Sequence, residues 1–156
     1  MTKQLRSGLN AVVGLAALLL FAAVIKLTID FTGSADVVRI ADKTFNVEIA
    51  DTPEERSKGL MSRLALARNH GMLFVFEDSA PRSFWNQDTL IPLDVIFINN
   101  YQVVAVEQLP KFEQVAGPIT VSPAAEARYV LELNQGSGIK IGDSAEFQLN
   151  YDEEKR

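Results

Sequence analysis

The first thirty residues read differently from the rest of the chain. From Leu9 to Ile25 no charge interrupts the apolar run, which contains Leu15, Leu19 and Phe21 and has no polar face. As a helix it spans about 25 Å at ~1.5 Å per residue. Lys26 can extend its ammonium back to water, and Leu27 and Ile29 lengthen the apolar stretch toward the ~30 Å hydrocarbon core. Lys3 and Arg6 precede the run, and Asp30 and Asp36 follow it. That asymmetry predicts an N-terminus in the cytoplasm and the remaining chain outside, held in the inner membrane by residues 9–29. The run exceeds the usual ~7–15 residues of a signal-peptide core, which favours an uncleaved anchor. The alternative is a secreted chain, cut near Ala35 after Gly33-Ser34. Residues 1–30 are thus read as anchor, 31–36 as linker, 37–150 as one domain and 151–156 as a charged tail.

After the linker the period changes to two. Val37–Ile40 reads as a strand, Asp42-Lys43 as a turn, and Phe45–Ile49 alternates apolar with polar as a half-buried strand. Thr52-Pro53-Glu54-Glu55 is a helix start: Thr52 caps, Pro53 takes the first helical position and Glu55 completes a capping box. The helix runs Pro53 to Lys58, with Gly59 as its αL stop. Arg63–Arg68 is expected to add a helical turn, and Asn69-His70-Gly71 a turn. Met72–Phe76 is apolar throughout, the mark of a central strand covered on both faces. Glu77–Pro81 reads as a loop and Arg82–Asn86 as a strand. A polar corner, Gln87-Asp88-Thr89, leads through Pro92 into the strand Asp94–Ile98. Asn99-Asn100 turns the chain into Gln102–Gln108. Leu109–Pro118 is expected as a loop, Ser122–Glu126 as a capped helical turn, and Arg128–Leu133 and Ala145–Leu149 as the last strands. The prediction is a mainly β (α+β) domain, a small antiparallel barrel or sandwich with short helices, preceded by one transmembrane helix.

The absence of Cys removes disulfides, thiolate nucleophiles and Cys-ligated metals. The net charge is −5, and without Lys3, Arg6, Lys26 and Asp30 the remainder carries −7. Such a domain has no electrostatic footprint for phosphate backbones, so nucleic acid is not expected as a partner. With one His and no Asp-rich loop, no metal or other cofactor is expected.

Several segments together resemble the family known as domain of unknown function 192. They are Glu55-Arg56, Gly59-Leu60-Met61 and Arg63; Gly71-Met72-Leu73-Phe74-Val75-Phe76; Phe84-Trp85, Thr89 and Ile91-Pro92-Leu93-Asp94; Phe97-Ile98; and Ala127-Arg128-Tyr129-Val130-Leu131-Glu132 before Gly142-Asp143. The resemblance covers about residues 37–149. It implies a compact β-rich domain, often exported or envelope-associated in bacteria and also found in archaea, with no established activity. The family's corner usually reads Phe-Trp-Met-Lys-Asn-Thr. Here Gln87 stands for the Lys and Asp88 for the Asn, so any anion contact made by that Lys is missing.

Candidate chemistry centres on Arg56, Arg63, Trp85, Thr89 and Asp94. Guanidinium forks bind carboxylates, and a Trp face covers a sugar ring or an aliphatic chain. The group is read as a site for a small polar or glycan ligand; the plainer reading pairs Asp94 with an Arg inside the fold and buries Trp85 in the core. Hydrolysis by paired carboxylates, Asp88 with Asp94 or Glu55, is the alternative. No nucleophile elbow is present, and His70 is expected to be an exposed turn residue. The preferred reading is a non-enzymatic, membrane-anchored accessory or binding module that contacts a membrane-protein complex or an envelope ligand.

Overall fold

The computed structural model describes residues 35–150. The expected membrane anchor and charged tail lie outside the described residues. Among those described, no helix is long and apolar enough to cross a membrane.

The domain is mainly β. Seven strands form one sheet curled into a half-barrel: β1 (Val37–Ile40), β2 (Lys43–Ala50), β3 (His70–Pro81), β5 (Leu93–Asn99), β6 (Gln102–Leu109), β8 (Glu126–Asn134) and β9 (Ala145–Gln148). Their order across the sheet is β6-β5-β8-β3-β2-β1-β9. Two short strands, β4 (Phe84–Trp85) and β7 (Thr120–Val121), pair separately. At one end the outer strands draw together: Val103 N–H donates to Asp143 O (2.9 Å) and Ala145 N–H to Tyr101 O (2.8 Å).

The two-sided apolar runs explain the centre. On one face Leu73, Val75, Ile96, Ile98, Leu131 and Leu133 join Val38, Ile40 and Phe45 in one core. On the other face Phe74, Leu93, Val95, Phe97 and Val130 pack under Leu60, Phe84 and Ile91. Each such side chain contributes about 1.5–3 kcal/mol by leaving water. The cover over this second face consists of helix α1 (Pro53–Lys58), the segment after it and the β4 corner. Helix α1 starts with the capping box that Thr52 and Glu55 encode.

Several local expectations are corrected. β3 continues through Glu77–Pro81, because after an irregularity Ala80 and Pro81 pair with Ala127 and Glu126. His70 opens that strand and is not in a turn. Arg63–Arg68 and Ser122–Ala125 are not helical. The strand expected over Arg82–Asn86 shrinks to Phe84–Trp85. The β5–β6 turn sits one residue later than expected, at Asn100 and Tyr101, whose φ angles are 48° and 60°. Gly59 has φ 47° but ψ −135°, so it is not an αL cap. A 3-10 turn, Phe112–Gln114, interrupts the loop after β6. Finally, β2 and β3 pair parallel, with α1 in the crossover, so the sheet is not wholly antiparallel.

Gly71 shows how tightly β3 meets β8. A Cβ there would lie 2.6 Å from the Glu132 carbonyl oxygen and 2.6 Å from Leu133 Cδ2. Gly71→Ala is expected to cost about 1–3 kcal/mol, read as a lower urea midpoint at unchanged slope.

Candidate functional site

The second face of the sheet carries a cleft of about 380 Å³ between α1 and β4. Its base is aromatic. Phe74 and Phe84 meet edge to face at 4.8 Å, and Phe84 meets Phe97 at 5.8 Å. Successive side chains of β4 take opposite faces: Phe84 packs into this stack, while Trp85 stays 49% exposed at the cleft wall.

Two guanidiniums flank the Phe76 ring, Arg56 at 5.1 Å and Arg82 at 4.0 Å from its centroid. Arg56 reaches there from α1 and donates to the carbonyls of Asp51 and Val75. Arg82 follows β3 and donates to Ala127 O (3.2 Å), Asp78 O (2.7 Å) and Asp78 Oδ1 (2.6 Å). Both heads are thus fixed before any ligand arrives. Among the described residues, no carboxylate lines this cleft.

Arg56, Phe74, Phe84 and Trp85 also bound a neighbouring cavity of about 20 Å³, with Lys58, Thr89 and Glu132 on its other walls. Glu132 is 4% exposed. It lies in a cross-strand row between Met72 of β3 and Val95 of β5. Among the described residues no hydrogen bond or ion pair reaches its carboxyl. Burial in this apolar row pushes its pKa up to about 8.

The structure brings Arg56, Trp85 and Thr89 together here. Thr89 is buried and holds the corner through its hydroxyl on Gln87 O (3.3 Å) and its amide on Asn86 O (3.0 Å). Arg63 is elsewhere: its fork grips Glu48, whose carboxyl it holds below the ordinary carboxylate range. Asp94 is also elsewhere. It is 4% exposed and accepts from Gln108 Nε2 (3.2 Å), Gly136 N–H (3.0 Å) and Ser137 N–H (2.8 Å). Asp88 is exposed on the corner, at φ 51°. Glu55 is used in the capping box.

Arg82, Phe76, Asn86 and Glu132 were not among the candidates read from sequence. Asn86 is fully buried, donating to Pro110 O (2.8 Å) and accepting from Ile119 N–H (2.7 Å), and so ties the corner to the following loop. Glu132 did carry a signal. It is a charge within the apolar strand Tyr129–Leu133, the same feature that singled out Asp94.

A larger, open depression of about 1000 Å³ lies against the Asn134–Ser137 turn. Two of its polar side chains are engaged with the fold: Lys43 Nζ donates to Ser137 O (2.5 Å) and Asn134 Nδ2 to Leu66 O (2.9 Å). Among the described residues, no group of three or more His, Asp or Glu side chains is placed to hold a metal ion.

Residues 36–147 match the family model described as an uncharacterized ACR, domain of unknown function 192. A crystal structure of a protein of unknown function from Novosphingobium aromaticivorans is 31% identical, with a TM-score of 0.65 over 70% of this chain and 83% of that one. A Sinorhizobium meliloti protein, provisionally described as a transcription regulator, is also 31% identical, with a TM-score of 0.65 over 73% of this chain and 94% of that one. No curated protein matches.

Proposed function

Because the chain belongs to the domain of unknown function 192 family, whose description names no activity, we propose a function from the geometry of its own cleft: a binding module for a small ligand with one anionic group and one planar or apolar part. The carrying observation is the pair of guanidiniums fixed on Phe76 beside half-exposed Trp85, in a cleft wall without carboxylates. Arg82 is paired with Asp78, whereas Arg56 is held by backbone carbonyls alone and carries the positive charge of the cleft. The anion meets the guanidinium edges, and the ring or chain lies on Trp85. The uncharged run over residues 9–25, with Lys3 and Arg6 before it, supports a membrane tether that holds this cleft outside the cytoplasm, within reach of an envelope ligand or a membrane-protein partner.

The hydrolytic alternative draws less support. Asp94 is occupied by the amides of a turn, and Asp88 stands on an exposed corner.

Trp85 is the only Trp of the chain, so its fluorescence reports this cleft alone. In detergent, the full-length protein is expected to give a saturable Trp85 response to N-acetyl-phenylalanine, with a Kd near the millimolar range. The response to its neutral amide should be at least about tenfold weaker. Equal affinity for the two, or no response to either, rules the proposal out.

A further inference from the structure

The cleft wall supplies fixed cations, but the group beneath it is an acid. Among the described residues, Arg56 and Lys58 are the charged side chains that line the Glu132 cavity beside it, and both come from α1. β3, β4, β5 and the corner meet it with Met72, Phe74, Phe84, Trp85, Val95 and Thr89. An ionised carboxylate so close to an incoming anion would repel it. A protonated carboxyl does the opposite, donating its one O–H to the anion. The cavity above it, about 20 Å³, holds a single water or a single ligand oxygen. Burial is the one influence on this carboxyl, with no hydrogen bond or charge acting on it among the described residues, so its O–H can point into the cavity that it lines.

We propose that Glu132 is a proton-carrying recognition residue, which takes one oxygen of a ligand carboxylate on its O–H while Arg56 holds the anion's charge, so that the site binds a carboxylate and a proton together. This rests on the cleft being the binding site, and it adds the ligand class and a dependence on pH. Burial keeps the carboxyl protonated through neutral pH. The bound anion stabilises that protonated form further. Above its pKa, each occupied site must take up one proton from solution, and no other bond is made or broken.

The test uses full-length protein in detergent, N-acetyl-phenylalanine as probe and Trp85 fluorescence as readout, between pH 7 and 9.5. The probe's own carboxyl is ionised throughout this range. Affinity is expected to be level up to about pH 8 and then to fall by up to about tenfold per pH unit. Glu132→Gln, which keeps an N–H donor but no titrating proton, is expected to bind with a flat profile. Calorimetry of the wild-type protein at pH 9, in buffers of different ionisation enthalpy, should show uptake of nearly one proton per ligand, and this arm needs no variant. A flat wild-type profile without proton uptake overturns the role of Glu132 while leaving the cleft as a binding site. No response to the probe at any pH removes both.

Discussion

Replacing Glu132 with Gln raises the unfolding free energy by about 3–5 kcal/mol at pH 8.5 and leaves it nearly unchanged at pH 4. The sign follows from which state holds the proton. In the folded domain burial keeps the carboxyl protonated to about pH 8, whereas in the unfolded chain it ionises around its ordinary value of 4.5. Below both values the two states bind the proton equally, and the stability linked to it is fully present. Between them only the folded state retains it, so stability falls as pH rises, by about 1.4 kcal/mol per unit. Above about pH 8 the loss is complete. Gln has nearly the same shape and does not titrate, so it escapes this loss. Urea unfolding curves of both proteins at half-unit steps from pH 4.5 to 8.5 measure the difference directly. Curves that stay parallel across that range contradict a buried, protonated Glu132. The result also bears on function: a carboxyl held at a cost in stability, where an amide of equal size fits, is what a recognition residue looks like.

Asp94→Ala acts in the opposite direction, destabilising the domain by about 3–5 kcal/mol at neutral pH. Asp94 anchors the turn after β8 through two backbone amides and joins β5 to β6 through Gln108. Hydrogen bonds to a charged acceptor are worth about 1.5–3 kcal/mol each, and truncation strands the amides of Gly136 and Ser137 without an acceptor. Asp94→Asn should lose about half as much, since one oxygen remains and the new NH₂ faces an N–H donor. Amide exchange at Gly136 and Ser137 should quicken ahead of the rest of the sheet in both variants. If Asp94→Ala unfolds within ~1 kcal/mol of the wild-type protein, the turn does not depend on Asp94, and its carboxylate becomes available again for the hydrolytic alternative.

These two acids show how far the sequence could be read. Both interrupt apolar strands, and in a period-two pattern they look the same. Their fates differ because of neighbours that are remote in sequence. Asp94 sits at the start of β5, where the amides of residues 136 and 137 arrive from the turn that follows β8. Glu132 sits between Met72 and Val95, with no donor arriving from either side. Spacing along a strand says which face a side chain takes and not which loop will reach it.

The same limit governs the fold. The Thr52–Glu55 capping box and the helix over Pro53–Lys58 are local chemistry, and they stand as read. So does the apolar run Met72–Phe76 as part of a strand with both faces buried. The extension of β3 through Glu77–Pro81 was hidden by polar residues and a Pro. Its pairing with Ala127 and Glu126 depends on a strand about fifty residues later. The parallel register of β2 and β3 was hidden for a related reason: alternation does not name a strand's neighbour. For the cleft, Arg56, Trp85 and Thr89 were legible as polar or aromatic marks near apolar runs. Arg82 and Phe76 were not, because what unites them with Arg56 is a stack across two elements.

The strand order has a consequence for how the chain reaches this state. β8 lies at the middle of the sheet, hydrogen-bonded to β3 on one side and β5 on the other, yet it is next to last in the chain. Until it emerges, β3 and β5 each present an apolar strand with an open edge, and they have no pairing with each other. Hairpins β1–β2 and β5–β6 form from near neighbours in microseconds, whereas β8 closes loops of roughly 30 to 60 residues onto β5 and β3, and β9 closes one of roughly 100 residues onto β1. During synthesis, between the end of β5 at Asn99 and the arrival of β8 at Glu126, the growing chain carries two open edges, and a chain stopped before Glu126 lacks the strand that covers them. A protein of this order passes through a vulnerable interval every time it is made, and it depends on the ribosome finishing.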